Sequence, residues 1–404
     1  MTTVMDGTQA LEARHVLQTY RRQPVTLVRG EGVRLFDADG REYLDLLSGI
    51  GVASLGHAHP GLARAIADQA STLLHTSNLF FHPLQGQVAE RLANLSGLPR
   101  AFFCNSGTEA VEACLKFARR HWYTRGETRP EIIALDESFH GRTLGALSVT
   151  SDEHYRAPFA PLLPGVRFIP ANDVPALASA VSRRTAAIIV EPIQGEGGVR
   201  PMEPAYAAAL NEASERTGAL IIADEIQCGL GRTGHAFYST VIGLKPHLMS
   251  LGKALGSGVP VGAALISQDV ANTIAFGDHG STYGGNLLAC RAALCFLDEL
   301  VEGDLIAHVE RVGRHFEHRL RAIAARHAIV KEVRGRGLMW GLELTVDAGA
   351  IVPAGLARGV IVNRTANTVV RLLPPLVITE AEADLALDRL DAALGDLTAN
   401  EGTH

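Results

Sequence analysis

The chain has 404 residues, 47% hydrophobic and 20% charged, which is long enough to bury a large core and to divide into two domains. A formal net charge of -6 argues against binding a phosphate backbone as a main task, because nucleic-acid binders carry a basic face, and it favours small-molecule chemistry. The five cysteines, Cys104, Cys114, Cys228, Cys290 and Cys295, are odd in number and lack paired two-residue spacings, so they read as reduced core residues and not as a disulfide framework or zinc ribbon.

The first residues, MTTVMDGTQALEARHVLQTYRR, hold no apolar h-region, and no later run reaches the length of a membrane span, so a cytoplasmic location is expected. Residues 25–46 are strand-like, and Asp39-Gly40 inside FDADGREY marks a tight hairpin, which predicts an antiparallel ribbon ahead of any α/β alternation. Helical patterns follow over residues 62–95, interrupted by HTSNLFFHP at 75–83. His57 and His59 have no acid or cysteine at ligand spacing, so no metal site is expected and they read as turn or packing residues.

The strand-like AFFCN then leads through Ser106-Gly107-Thr108-Glu109 into a helix to Trp122. Val111, Leu115, Ala118 and Trp122 share one stripe of it, and Glu112 stands four residues before Lys116. A Ser-Gly-Thr turn at a helix N-terminus offers free N–H groups, two hydroxyls and the positive dipole end, which suit a phosphate, and ordinary capping is the alternative. Strand-like runs at 131–135, 186–190, 219–223, 248–251 and 262–266 alternate with helical ones and predict an α/β architecture with a mainly parallel, doubly covered sheet, over residues 56–299. Beyond these, helical patterns to 327, the strand-like VRGRGLMWGLEL, GVIVN and VVRLLPPLVI, and a closing helix predict a smaller α+β domain. It is expected to combine residues 1–55 and 300–404 and to share its sheet with the N-terminal ribbon.

Two residues stand out chemically. The run at 219–223 ends in Asp224, and acids at the C-terminal end of a buried strand lie where an open α/β sheet presents its site. Lys253 follows the run at 248–251 directly before a loop with Gly256, Gly258 and Gly262. A charged, unpaired lysine there is costly, so it either snorkels outward or has a chemical partner. An acid that keeps a pyridine nitrogen protonated, with a lysine that forms a Schiff base with an aldehyde, is what pyridoxal phosphate requires. Gly252-Lys253-Ala254 lacks the spaced glycine and hydroxyl of a P-loop, and Gly335 and Gly337 open no helix after a first strand, so neither nucleotide motif is expected.

With NSGTEA, SFHGRT, EPIQGEGGV, ADEIQCGLGRTG, LGKALGSG, HGSTYGGN and RLLPPLVI in order, the sequence resembles the class III, or ω-, aminotransferases of the fold-type I pyridoxal phosphate enzymes, from about Thr19 to the C-terminal helix. The resemblance implies a seven-stranded-type sheet, pyridoxal 5'-phosphate as cofactor and a homodimer with shared active sites. It makes Lys253 the Schiff-base lysine and proton shuttle, places Asp224 at the pyridinium nitrogen, Gln227 near the phenolic oxygen and Phe139 against the ring, and gives Gly107 and Thr108 the phosphate, helped by Thr282 of the partner subunit. It assigns Arg142 to the distal carboxylate of either substrate and Arg371 to the α-carboxylate of 2-oxoglutarate, with Glu196 covering Arg371 when the ω-amino donor brings no carboxylate there.

Within the class, QTYRRQPV, HTSNLF, EPIQGEGGV and RLLPPLVI look most like the acetylornithine aminotransferases of arginine biosynthesis. This implies that N2-acetyl-L-ornithine and 2-oxoglutarate are the substrates, with Tyr20 and Asn78 near the acylated end. Succinylornithine, a carrier-linked lysine precursor, ornithine and 4-aminobutyrate stay open as donors, since a few pocket contacts decide between them. An aminomutase fits Arg371 and Glu196 less well, and a non-catalytic pyridoxal-binding dimer leaves Lys253 and Asp224 without a purpose.

Overall fold

The structure is a computed structural model that describes residues 7–401. Thr185–Val190, Leu220–Asp224, Leu248–Leu251 and Gly262–Ile266 are buried at every position, as strands covered on both faces must be. They form a seven-stranded sheet in the order Arg100–Cys104, Gly262–Ile266, Leu248–Leu251, Leu220–Asp224, Thr185–Val190, Glu131–Leu135, Val166–Ile169. Gly262–Ile266 runs antiparallel to both neighbours and every other pairing is parallel, so the expected mainly parallel sheet is present. The edge strand Val166–Ile169 was not expected; it is four residues long and carries an exposed arginine.

Alternation separates the faces of this sheet. Ile188, Val190, Ile221 and Ala223 pack into one core, while Ala187, Ile189, Leu220 and Ile222 pack into another with the helix Gly107–Thr124. The predicted stripe Val111, Leu115, Ala118 and Trp122 is buried in that second core. The expected Glu112–Lys116 pair does not form. Glu112 Oε1 accepts the N–H groups of Gly145 (2.9 Å) and Ala146 (3.3 Å) at the start of the short helix Leu144–Ser148, and Lys116 Nζ lies 2.8 Å from His279 Nδ1. Open N–H groups of a helix terminus are stronger claimants on a carboxylate than an exposed, hydrated ammonium.

The N-terminal ribbon pairs Leu27–Glu31, Arg34–Asp37 and Glu42–Asp45 antiparallel, and its predicted turn is held by Asp37 Oδ1, which accepts from the N–H of Asp39 (3.0 Å) and of Arg41 (2.8 Å). Val360–Ile361 joins this ribbon in parallel with Glu42–Asp45. The remaining C-terminal strands, Val330–Arg336, Met339–Leu344, Val369–Leu372 and Asn363–Thr365, form an antiparallel sheet of their own, so sheet sharing is limited to that one short strand. The strand in VVRLLPPLVI stops at Leu372 because Pro374 and Pro375 carry no N–H for a ladder, although Leu373, Leu376 and Ile378 stay buried. The helical pattern to 327 resolves into Leu287–Val301 and Leu305–Ala324, broken where Asp304 adopts φ 56°. The cysteines are unpaired, four buried and Cys295 partly so.

Candidate active site

Parallel register brings the two key residues together. Ile222, Ala223 and Asp224 lie opposite Leu248, Met249 and Ser250, so Asp224 at the end of its strand sits three residues short of Lys253 on the next. Lys253 turns off its strand with φ 41°, opening a short 3-10 turn, Lys253–Gly256. A cavity of about 280 Å³ opens here, lined by Lys253, Asp224, Gln227, Gly107, Thr108, Phe139, Arg142 and Glu196, all named from the sequence, together with His140, Gly141, Glu191 and Ile226. Burial lowers the pKa of Lys253; Glu196 opposes this, and Arg371 adds to it. A lysine of reduced basicity is the form that attacks a carbonyl carbon.

Asp224 is buried, and its Oδ2 lies 2.6 Å from Nδ1 of His140 while its Oδ1 accepts the N–H of Ile226 at 3.1 Å. Burial disfavours the imidazolium of His140, but the adjacent carboxylates of Asp224 and Glu191 outweigh it and raise its pKa. Glu191 accepts the N–H of Phe139 (2.9 Å) and of Gly195 (3.0 Å), tying together the two segments that carry Phe139 and Glu196. Burial pushes Glu191 up to about 7, with His140 opposing and Asp224 reinforcing. Neither His140 nor Glu191 was singled out from the sequence; both lie inside recognised motifs, but no local pattern says that they meet Asp224 and two loop N–H groups.

At the other end of the cavity the helix Gly107–Thr124 begins. Ser106 Oγ accepts the N–H of Glu109 (3.3 Å), and Glu109 reaches back to the N–H of Asn105 (2.8 Å) and to Ser106 Oγ (3.0 Å). This capping therefore engages Glu109 and leaves the first-turn N–H groups of Gly107 and Thr108 for the cavity. A Cβ on Gly107 would meet Ile226 at 2.7 Å, and one on Gly141 would meet Thr108 Oγ1 at 2.2 Å, so both glycines keep this end open. Such a helix end suits a phosphate, the buried carboxylate a pyridinium nitrogen, and the lysine an aldehyde.

Two arginines border the cavity in different states. Arg371, 1% exposed, donates through Nη1 to Glu196 Oε1 (2.5 Å) and to Gln227 Oε1 (3.1 Å), and through Nε to Asn363 Oδ1 (3.3 Å). Burial works against the Glu196 carboxylate, yet the charge and hydrogen bond of Arg371 hold its pKa below the ordinary value. The Glu196 side chain is 36% exposed, so it is the member of the pair with room to leave. Arg142 is exposed, pairs with no carboxylate among the described residues, and stacks 3.6 Å over the ring of Tyr155.

Thr282, Tyr20 and Asn78 do not line the cavity of their own chain. Thr282 and Tyr20 are exposed, and Asn78 donates to the carbonyls of Ser281 (3.3 Å) and Gly284 (2.9 Å), pinning the loop that carries Thr282.

A family model described as class-III aminotransferase matches residues 16–394. The chain is 43% identical to an acetylornithine aminotransferase of Methanocaldococcus jannaschii, over 96% of this chain and 98% of that one. It is 45% identical to a mitochondrial acetylornithine aminotransferase of Alnus glutinosa, over 93% and 85%. Among solved structures, the ornithine aminotransferase of Toxoplasma gondii ME49 superposes with a TM-score of 0.93 at 35% identity, covering 97% of this chain and 95% of that one. The N-acetylornithine aminotransferase of Stenotrophomonas maltophilia K279a superposes at 0.84 with 34% identity, covering 97% and 99%. A lysine of reduced basicity, a buried carboxylate and a helix N-terminus around one cavity agree with these likenesses, and the chain belongs to the class-III aminotransferases, which work with pyridoxal phosphate.

Proposed function

We propose that this protein is a cytoplasmic, homodimeric acetylornithine aminotransferase of arginine biosynthesis. It moves the δ-amino group of N2-acetyl-L-ornithine to 2-oxoglutarate, giving N-acetyl-L-glutamate 5-semialdehyde and L-glutamate. The names of relatives at 43% and 45% identity support the substrate. The observation that carries the mechanism is the buried Arg371 covered by the partly exposed Glu196 beside Lys253.

Bound pyridoxal phosphate supplies an aldehyde that takes up amines and a ring that accepts the electron pair left on the reacting carbon. In our reading Lys253 would hold that aldehyde between turnovers and would carry the proton to and from the reacting carbon. Asp224, braced by His140 at 2.6 Å, would keep the ring nitrogen protonated. Gln227 would meet the phenolic oxygen, Phe139 would cover the ring, and Gly107 and Thr108 would hold the phosphate with Thr282 of the partner subunit.

The two substrates differ at the reacting end. 2-Oxoglutarate brings an α-carboxylate there and acetylornithine does not, whereas both carry a distal carboxylate. Arg142, exposed and without an acidic partner among the described residues, suits the distal group. Arg371 takes the α-carboxylate once Glu196 leaves, and Glu196 returns for the donor half-reaction so that the buried guanidinium is never bare. Phe81 and Phe276, 106% and 109% exposed, support burial against a second copy. Tyr20 and Asn78 are assigned to the acylated end. No described helix is long and apolar enough to cross a membrane.

Titration of the cofactor-loaded protein with N2-acetylornithine, without an acceptor, tests the substrate through the visible absorption. Bleaching at low donor concentration, with ornithine and 4-aminobutyrate much weaker, is the expected result. Bleaching by another ω-amine in its place would keep the family and remove acetylornithine.

A further inference from the structure

The Glu196 gate must open and close once in each catalytic cycle, and it sits in a glycine-rich segment, Gly195-Glu196-Gly197-Gly198, whose backbone has little intrinsic stiffness. Side chains hold that backbone at each of its residues: Glu191 takes the N–H of Gly195 (3.0 Å), Arg200 Nε donates to the carbonyl oxygen of Gly197 (2.9 Å) and Arg334 Nε to that of Gly198 (2.8 Å), while at Glu196 itself Thr365 Oγ1 donates to the carbonyl oxygen (2.5 Å). The same hydroxyl lies 3.4 Å from Glu196 Oε2. Thr365 is buried and ends the strand Asn363–Thr365, which pairs antiparallel with the strand of Arg371. Asn363 lies opposite Arg371 in that register and accepts its Nε–H at 3.3 Å. One strand therefore supports the arginine through Asn363 and ties down its covering glutamate through Thr365.

There is also room for the glutamate to move. Glu196 and Phe139 line both the cavity that contains Lys253 and an outer cavity of about 470 Å³, which Thr365 and Tyr155 also line. We propose that Thr365 is a positioning residue of the gate: its hydroxyl pins the backbone of Glu196, so that the carboxylate swings between Arg371 and the outer cavity while the glycine segment stays in place. This rests on the gate reading of Glu196. Without the pin the peptide of Glu196 samples more conformations, although Glu191, Arg200 and Arg334 still hold its glycine neighbours, and only the closed pair with Arg371 requires one particular conformation. Loss of the hydroxyl therefore weakens closing more than opening.

The experiment uses the holoenzyme of Thr365→Val, Thr365→Ser, Glu196→Ala and the Glu196→Ala/Thr365→Val double variant. Two quantities are measured: kcat/KM for glutamate divided by kcat/KM for the ω-amino donor, and the calorimetric Kd of glutarate, an unreactive dicarboxylate. Thr365→Val is expected to raise the ratio and tighten glutarate by about two- to tenfold, the range of one net hydrogen bond. Thr365→Ser restores both values, and in the Glu196→Ala background the valine adds nothing. Unchanged values in Thr365→Val, or equal shifts in both backgrounds, would overturn the proposal by leaving the hydroxyl a merely structural group. If Glu196→Ala itself moves neither quantity, the gate reading falls first. Should Thr365→Val fail to fold, Thr365→Ala takes its place in the same cycle.

Discussion

Arg142 illustrates how an exposed cation is prepared for an anion without an acidic partner. Its guanidinium carbon lies 3.6 Å over the ring of Tyr155, a contact that orders the side chain without neutralising its charge as a carboxylate would. Tyr155→Leu is expected to raise KM several-fold for both substrates that carry a distal carboxylate, with kcat nearly unchanged; steady-state kinetics checks this, and a fall in kcat alone would contradict it. Glu191 makes a pH-dependent prediction. Its folded pKa is raised from 4.5 to about 7, so between these values the folded protein keeps a proton that the unfolded chain has lost. Its contribution to stability is therefore greatest at the acid side, declines as pH rises through that window and is constant above it. In the apo-protein, thermal unfolding of Glu191→Gln should gain on the wild type as pH is raised from about 4.5 to about 7; parallel curves would show that Glu191 does not titrate there.

The helix Gly107–Thr124 serves the core along one side and the cavity at its first turn. The demands are separable because Ser106 and Glu109 satisfy the cap, and glycine at 107 lets Ile226 approach. Gly107→Ala places a methyl where Ile226 stands at 2.7 Å. The expected outcome is roughly tenfold weaker binding of pyridoxal phosphate, read by equilibrium titration of the apo-protein, since displacement of a helix end by a few tenths of an ångström misaligns its N–H groups. Unchanged affinity would remove this turn from the phosphate site. The Glu112 bonds to Gly145 and Ala146 show the same logic at a second helix start, and they explain why an i,i+4 charge pattern did not become an ion pair.

For the whole molecule, the site of a single chain lacks the contributions assigned to Thr282, Tyr20 and Asn78. Phe81, Phe276, Leu79, Phe80 and Tyr283 are exposed apolar side chains, and the proposed homodimer is expected to cover them with the second copy. Phe81→Glu with Phe276→Asp should produce monomers in sedimentation and lower both activity and cofactor retention at least tenfold, because a charge buried in an apolar interface costs several kcal/mol. A dimer that survives both changes would place the interface elsewhere.

What the sequence determined by itself was the local chemistry and its order: buried strands from continuous apolar runs, a helix starting at Ser106-Gly107-Thr108 with a turn suited to a phosphate or to capping, and Asp224 and Lys253 at strand ends. These follow from short-range patterns, because burial on both faces of a strand and the capping of a helix are each decided within a few residues. The resemblance carried by seven motifs extended this to Arg142, Glu196 and Arg371. Only the tertiary structure decided that Asp224 meets His140, 84 residues away, and that Glu191 ties Phe139 to Gly195. It also decided that Arg142 rests on Tyr155 and that Thr365 reaches back across 169 residues to Glu196. These contacts have no period and no fixed spacing. Parallel strands joined by crossovers choose which loops share the carboxyl end of the sheet, and side chains satisfy their charges and hydrogen bonds among whichever neighbours that topology provides.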